Sequence, residues 1–215
     1  MKKYILEAIG TFFLTMVVVL AAQHPESAAW KAACLGAVWT GFYFVARPIS
    51  GAHFNPAISV ARLMDGSINR LELPYYVLAQ SVGAVIAAIA GYFMLSCQGI
   101  TDLRGLNGID LWCGLPAEFL GGFAFAFVFI KLQTTEQAFI GGVVLAGLTL
   151  ALESVSGAVF NPATGLAFCI SGTLAWGKLW LYILGPVLGA AAATSVHFWL
   201  EGQSDTTNLP QRRDF

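Results

Sequence analysis

An eight-residue segment occurs twice in this chain, at positions 50–57 and again at 156–163. Seven of the eight residues are identical between Ser-Gly-Ala-His-Phe-Asn-Pro-Ala and Ser-Gly-Ala-Val-Phe-Asn-Pro-Ala. The same spacing of 106 residues relates further identical pairs: Gly36 with Gly142, Tyr76 with Tyr182 and Gly83 with Gly189. The chain is therefore an internal duplication. Its halves, about 1–107 and 108–200, are expected to fold alike within a single domain.

Six apolar stretches are long enough to cross a lipid bilayer, which takes about 20 residues. They lie at 4–22, 28–45, 74–97, 115–132, 138–155 and 179–200. Only 11% of the 215 residues are charged, against about 25% in soluble domains, so a water-facing surface cannot be built. The net charge of −1 also leaves no basic surplus for binding nucleic acid. These features predict an all-α membrane protein.

The first stretch has a second interpretation as a secretory signal, because Lys2 and Lys3 precede an apolar core that ends in Ala-Ala-Gln. Glu7 would interrupt the core of such a signal. The duplication also needs this stretch as the counterpart of the fourth span, where Glu118 occupies the matching place. We therefore interpret it as the first transmembrane helix.

Each half contains three spans, an odd number, so the second half enters the membrane from the opposite side and the repeats are inverted. Lys and Arg residues favour one side by eight to three. The eight are Lys2, Lys3, Arg47, Arg62, Arg70, Lys131, Arg212 and Arg213, and the three are Lys31, Arg104 and Lys178. This bias predicts that both termini are cytoplasmic, in a plasma or inner membrane, with 201–215 as a polar cytoplasmic tail.

The repeated motif is typical of a loop followed by a helix start, because Asn is a strong N-cap and Pro is favoured at the first helical position. The helices at 55–64 and 161–171 are too short to cross the bilayer. In an inverted repeat their N-termini meet near the midplane. The preceding loop backbone cannot face lipid, so we expect it to line a polar path. The loop residues in question are Gly51, Ala52, His53, Gly157 and Val159.

Asn55 and Asn161 are expected to control what passes the place where the two helix N-termini meet, which we call the crossing point. When the side-chain oxygen caps its own helix, both amide hydrogens remain free to donate to a passing oxygen. Water held there must turn its own hydrogens away, which interrupts a proton wire. The two helix N-termini add a positive potential, about half a charge each, that opposes cations. A single Asn-Pro-Ala would be ordinary helix-start chemistry, but two copies in matching frames predict a path for neutral molecules.

With these features the chain resembles the major intrinsic proteins, the family of aquaporins and glycerol facilitators. The resemblance covers residues 1–200 and rests on the two Asn-Pro-Ala motifs, the Ser-Gly-Ala-His frame and the matching glutamates Glu7 and Glu118. The motif residues are Asn55, Pro56, Ala57, Asn161, Pro162 and Ala163. Membership implies six transmembrane helices with two re-entrant half-helices, one pore per subunit and a homotetramer in the bilayer. It also implies passive conduction without a cofactor.

The chain departs from the family pattern after the second motif, where an arginine is usual and Thr164 stands here. In the family this position belongs to the narrow outer constriction of the pore. The other three constriction positions of the family fall on Leu35, Thr149 and Ala158. None of the four is aromatic, His or Arg. We therefore expect a wider, less polar opening that admits solutes larger than water.

Four further residues draw attention because they are ionisable and lie in or beside apolar segments. Resemblance suggests that Glu7 and Glu118 accept hydrogen bonds from the re-entrant loops, a structural role. Glu153 has no acidic counterpart in the other half, and lines the outer vestibule or pairs with Lys31 or Lys178. His53 is either a titrating gate or a hydrogen-bonded structural histidine.

Two other function classes remain to be weighed. A proton- or ion-coupled secondary transporter also uses inverted repeats and broken helices, but coupling needs an ionisable group at the crossing point, where only neutral Asn stands. A membrane enzyme would need a nucleophile with a base or clustered metal ligands. The three histidines, His24, His53 and His197, lie in unrelated segments, and no two cysteines are close in sequence. We predict no enzymatic activity and no metal site.

Overall fold

A computed structural model of the protein describes residues 1–21, 28–100, 106 and 108–202. Within these residues the chain forms eight α-helices and no strand. They are α1 (Lys2–Ala21), α2 (Ala28–Ser50), α3 (Pro56–Met64), α4 (Leu73–Ser96), α5 (Leu111–Lys131), α6 (Ala138–Ser156), α7 (Pro162–Ile170) and α8 (Leu179–Gly202). All except α3 and α7 are long and apolar enough to span a membrane. The predicted all-α fold with six spans and two half-helices is confirmed.

Most predicted boundaries lie within two residues of the observed ones, but two differ more. Helix α2 continues five residues past the predicted end, through Pro48 to Ser50. Arg47 lies in its last turn, where a cation is favourable near the carbonyl end of the helix. Helix α5 begins four residues early because Asp110 caps it, accepting the N–H groups of Trp112 and Cys113. Of the predicted tail, only 201 and 202 are described, as the end of α8.

The two halves pack in the same way. Helix α1 lies against α4 as α5 lies against α8, and α2 packs against α6 across the seam between the halves. Each half-helix packs against spans of both halves, α3 on α8 and α4, and α7 on α4 and α8. Between α4 and α7 lies a cluster of four buried small side chains: Ala84, Ala88, Ala163 and Ala167. Such residues let helix backbones approach closely in a membrane.

The polarity of the bundle is reversed relative to a soluble protein. Large apolar side chains such as Ile86, Phe93, Phe139 and Trp199 are exposed on the outer faces of the spans. Polar side chains are buried inside, among them Glu7 and Gln80, each with no exposed surface. The outer faces of the spans are therefore apolar, and polar side chains of the spans lie inside the bundle.

Candidate pore

Both half-helices begin as the sequence predicts, at a capping asparagine followed by proline. Asn55 and Asn161 have extended backbones, with φ −158° and −139°. The Oδ1 of Asn55 accepts the N–H of Ala57 at 2.8 Å, and the Oδ1 of Asn161 accepts that of Ala163 at 3.0 Å. Proline at the next position loses nothing, because its missing N–H would have no partner within the helix.

The two asparagines also join the halves to one another. The Nδ2 of Asn55 donates to the carbonyl of Phe160 at 2.8 Å, and the Nδ2 of Asn161 donates to the carbonyl of Phe54 at 2.9 Å. The N-termini of α3 and α7 therefore meet, as expected for an inverted repeat. The expectation that both amide hydrogens of each Asn remain free is wrong. The half-helices approach so closely that each side-chain amide donates to the last loop carbonyl of the other half. One amide hydrogen of each Asn then remains without a partner in the protein.

Two buried glutamates hold the re-entrant loops. The Oε1 of Glu7 accepts the Ser50 hydroxyl at 2.7 Å and the N–H of His53 at 3.0 Å, and its Oε2 accepts the N–H of Phe54 at 2.6 Å. Glu118 repeats this arrangement in the other half. Its partners are Ser156 at 2.7 Å, Val159 at 2.9 Å and Phe160 at 2.6 Å. Both carboxylates have no exposed surface, so they act from inside the bundle and not from the path.

These hydrogen bonds fix an unusual loop backbone. Four non-glycine residues adopt the left-handed region: Ala52 (φ 56°), Phe54 (52°), Ala158 (49°) and Phe160 (49°). Each such residue costs on the order of 1–3 kcal/mol and persists only where its surroundings determine it. The N–H groups of Phe54 and Phe160 are themselves bound by the glutamates. The loop conformation and the buried acids are therefore one structural unit.

Three supporting residues were not identified from the sequence as part of this unit. The hydroxyls of Tyr76 and Tyr182 donate to the carbonyls of Ser50 and Ser156, each at 2.7 Å. Both positions hold tyrosine at the 106-residue spacing, and this match could have identified them as supporting residues. Gln80 gave no such signal, because its counterpart is Pro186. Its Nε2 donates to Glu7 and to Ser59, each at 2.9 Å.

His53 has the surroundings of a structural histidine. Its Nδ1 lies 3.1 Å from the hydroxyl of Ser59, and its ring stacks on Tyr76 with centroids 4.6 Å apart. Only 2% of its surface is exposed. These contacts fix the ring in place, which favours the structural role over a moving gate.

A cavity of about 30 Å³ lies where the two motifs meet. That volume exceeds the ~10–15 Å³ that a cavity needs to hold a water molecule. Its polar lining comes from His53, Asn55, Asn161 and Thr164. The remaining lining residues include loop residues Phe54, Val159 and Phe160 and helix residues Leu14, Val18, Leu35, Trp39, Phe125 and Leu145. The crossing point is therefore a small polar spot inside an apolar wall.

The four constriction positions are placed unequally around this cavity. Leu35 and Thr164 line it, whereas Thr149 and Ala158 do not. The hydroxyl of Thr164 is already hydrogen-bonded to that of Thr15 at 2.9 Å. All four residues are at most 6% exposed. None of the four side chains is therefore open to solvent in this conformation, and the wider opening stays a prediction.

At the end of the bundle where α2 begins and α6 ends, which we call the outer end because the distribution of Lys and Arg predicts it, the partner of Glu153 is Lys31. The Lys31 Nζ lies 2.6 Å from the Glu153 Oε2 and 3.0 Å from the Gly157 carbonyl. The alternative partner, Lys178, instead donates to the carbonyl of Ile109 at 2.7 Å. Arg104, the other outer cation, lies outside the described residues.

At the opposite end, which the same prediction places inside and which we call the inner end, a cavity of about 240 Å³ is lined by charged side chains from α1, α2, α3 and the turn before α4. Lys3 pairs with Glu72, and Arg62 pairs with Asp65 at 2.7 Å. Arg47 donates to the carbonyl of Leu132 at 3.1 Å. Gly51 and His53 also line this cavity, so the first re-entrant loop borders both the crossing point and the inner mouth.

Comparison with known proteins agrees with this architecture. A family model described as Major intrinsic protein matches residues 1–197. The chain is 32% identical to Glycerol uptake facilitator protein-like 6 of Lactiplantibacillus plantarum, over 90% of this chain and 95% of the relative. It is 28% identical to Aquaporin AqpM of Methanothermobacter thermautotrophicus, over 94% of this chain and 98% of the relative.

The fold also matches a solved structure, the aquaglyceroporin of Plasmodium falciparum, with a TM-score of 0.78. That alignment covers 91% of this chain and 94% of the other, at 17% identity. Proteins of this family are channels and not enzymes, which confirms that prediction. The chain belongs to the major intrinsic protein family and is a passive transmembrane channel for water and small neutral solutes.

Proposed function

We propose that Asn55 and Asn161 reject protons and ions at the crossing point while neutral molecules pass. The observation that carries this proposal is the pair of reciprocal hydrogen bonds between the halves. Each Asn then offers one remaining amide hydrogen beside the cavity, and its Oδ1 is occupied by the helix cap. A water molecule between them meets donors only, so it cannot pass a proton along a chain of hydrogen bonds. The two helix N-termini repel cations at the same place.

The lining supports a permeant class broader than water. Apolar side chains form most of the cavity wall, with Asn55, Asn161 and Thr164 as separated polar points. Such a wall suits a solute with a carbon skeleton and several hydroxyl or amide groups, such as a polyol or urea. Because α1, α2 and α6 close around the cavity in this conformation, passage of these solutes requires small movements of the lining side chains.

The experiment is light scattering of proteoliposomes that contain the purified protein, under osmotic gradients of sucrose, glycerol, urea and a small neutral acid. We expect water flux above that of empty vesicles, together with flux of glycerol or urea. An uncoupler should leave these rates unchanged. A flux that collapses with the proton gradient would instead indicate the coupled transporter.

Replacing Asn161 by Asp tests charge exclusion directly. Aspartate caps a helix as well as asparagine, but it places a carboxylate where an amide donor stood. We expect the K⁺ leak of proteoliposomes to rise several-fold, measured as decay of an imposed membrane potential. Asn69 is exposed at a turn on the inner side and its Oδ1 accepts the N–H of Leu71, so Asn69→Asp is the matched control and should not leak. An unchanged leak in a folded Asn161→Asp channel would contradict this site.

Replacing Thr164 by Arg tests the constriction. The larger side chain narrows the path and adds donors that water can use, so glycerol and urea permeability should fall more than water permeability. Thr164→Val is the control for losing the hydrogen bond to Thr15 without adding bulk or charge. The measurement is the ratio of glycerol to water permeability in proteoliposomes. Equal loss for every solute would mean that Thr164 does not discriminate between them.

We further infer that both termini are cytoplasmic and that the channel is a homotetramer in the plasma or inner membrane. The eight-to-three distribution of Lys and Arg supports the orientation, and the family resemblance supports the assembly. Native mass spectrometry in detergent tests the tetramer. Protease protection of a C-terminal tag in right-side-out vesicles tests the orientation.

A further inference from the structure

The strongest feature outside the crossing point is a buried ion pair at the outer end. Lys31, in the first turns of α2, is only 3% exposed, although an ammonium is costly to remove from water unless it is paired. Two acceptors compensate it: the Glu153 carboxylate at 2.6 Å and the Gly157 carbonyl at 3.0 Å. The Glu153 side chain keeps 26% of its surface exposed. The lysine is therefore enclosed, and the glutamate remains open to the outside.

The pair lies directly outward of the constriction positions. Leu35 follows Lys31 by one helical turn on the same face of α2, and Thr149 precedes Glu153 by one turn on the same face of α6. Gly157 immediately precedes Ala158 at the start of the second re-entrant loop. A single ammonium thus joins the three segments that carry Leu35, Thr149 and Ala158.

Thr149 supplies a second, independent observation. Its hydroxyl is completely buried and has no hydrogen-bond partner. Three other threonines of the spans, Thr11, Thr40 and Thr194, each donate to the carbonyl four residues earlier. A buried hydroxyl without a partner costs about 1–3 kcal/mol, so a polar group that reaches Thr149 when the neighbouring side chains move is stabilised there.

The duplication shows that this pair is not inherited with the fold. At the 106-residue spacing, the counterpart of Lys31 is Gln137 and that of Glu153 is Arg47. Arg47 donates to a backbone carbonyl, that of Leu132. The acids that hold the re-entrant loops, Glu7 and Glu118, occur in both halves, whereas the Lys31–Glu153 pair occurs only at the outer mouth. The position of the pair therefore indicates a functional role at the outer mouth, beyond support of the fold.

We propose that Lys31 and Glu153 are the specificity-determining pair of the outer mouth, selecting small neutral solutes that carry several hydrogen-bond donors. This inference rests on the proposed function and extends it to the entry step. Lys31 cancels the charge of Glu153 and anchors the second re-entrant loop at Gly157. The open Glu153 carboxylate accepts hydroxyl or amide hydrogens of an entering solute. Thr149, one turn further in, is buried in this conformation and forms the next hydrogen bond once the neighbouring side chains move.

The experiment measures water, glycerol and urea permeability and K⁺ leak of proteoliposomes for Glu153→Gln and Lys31→Met. Glu153→Gln keeps the shape and one acceptor oxygen but leaves the ammonium uncompensated, so glycerol and urea permeability should fall several-fold relative to water. Lys31→Met keeps an unbranched apolar stem and leaves a bare carboxylate at the mouth. We expect it to release the loop, raise the glycerol-to-water ratio and raise the K⁺ leak.

An ion pair at the opposite end provides the matched control. Lys131 and Glu201 form a contact in which both side chains are about half exposed. Lys131→Met and Glu201→Gln change the same chemical groups and should leave the glycerol-to-water ratio as in the wild type.

Lys31→Arg keeps the charge and both hydrogen bonds and should also retain most of the wild-type ratio. Folding of every variant is checked by size-exclusion chromatography. If Lys31→Met does not fold, Glu153→Gln decides the question.

Two results would overturn the inference while leaving the proposed function intact. One is a conducting wild type with unchanged solute ratios in folded Glu153→Gln and Lys31→Met channels. The other is failure of both variants to fold, which would make the pair a structural tie only. A wild type that passes neither water nor neutral solutes would instead defeat the proposed function itself.

Discussion

Glu118→Ala is expected to yield almost no folded channel. The substitution removes the acceptor of three buried donors: the Ser156 hydroxyl and the N–H groups of Val159 and Phe160. Each unsatisfied donor costs about 1–3 kcal/mol, so the sum approaches the ~5–15 kcal/mol by which proteins are typically stable. The left-handed Phe160 loses the hydrogen bond that holds its backbone, and Ser156, which accepts the N–H of the left-handed Ala158, loses its own acceptor.

Glu118→Gln separates the loss of one hydrogen bond from the loss of all three. The glutamine oxygen can still accept from Ser156 and Val159, but its Nε2 faces the N–H of Phe160, where the Oε2 of Glu118 lies 2.6 Å away. We expect reduced yield and a lower thermal midpoint in fluorescence-detected size-exclusion chromatography, between wild type and Glu118→Ala. The control is Glu136→Ala, at an exposed acid, with an expected change within about 0.5 kcal/mol. Normal yield with an altered solute preference would place Glu118 in the pore and not in the fold.

Gly83→Ala is expected to have the second largest effect. A Cβ at this position would lie 2.1 Å from the Ala8 carbonyl oxygen, a backbone atom of α1. Because a helix backbone cannot change its conformation as a side chain changes rotamer, α1 and α4 would have to move apart. Overpacking costs about 1–3 kcal/mol in cores that can adjust their side chains, so we expect at least that loss here. Gly189→Ala should behave alike, with its Cβ 2.2 Å from the Phe119 carbonyl of α5.

Gly147→Ala is the matched control for both substitutions. It lies in the spanning helix α6, and a Cβ there would meet no atom within 4 Å. Alanine favours a helix over glycine by about 1 kcal/mol, so this variant should be as stable as the wild type or slightly more so. The measurement is the thermal midpoint of the purified protein in detergent. Equal midpoints for Gly83→Ala and Gly147→Ala would show that α1 and α4 are not held in close contact.

The sequence alone predicted most of the architecture because the relevant signals are local. Six apolar stretches reveal the spans, and Asn followed by Pro reveals where α3 and α7 begin. The 106-residue spacing then requires the two half-helices to meet, since an odd number of spans inverts the second half. The ends of α2 and α5 were misplaced because a helix end depends on single capping contacts, such as those of Asp110, more than on hydrophobicity.

Tertiary structure alone decided which polar groups remain available. Only the folded chain shows that the amide of Asn161 is bound to Phe54, that Thr164 is bound to Thr15, and that Glu153 pairs with Lys31 and not Lys178. These partners are 107, 149 and 122 residues apart in the chain. A sequence pattern specifies that such a group must be satisfied when it is buried. The choice among several chemically equal partners depends on distances of a few ångströms, which are set only when the helices pack.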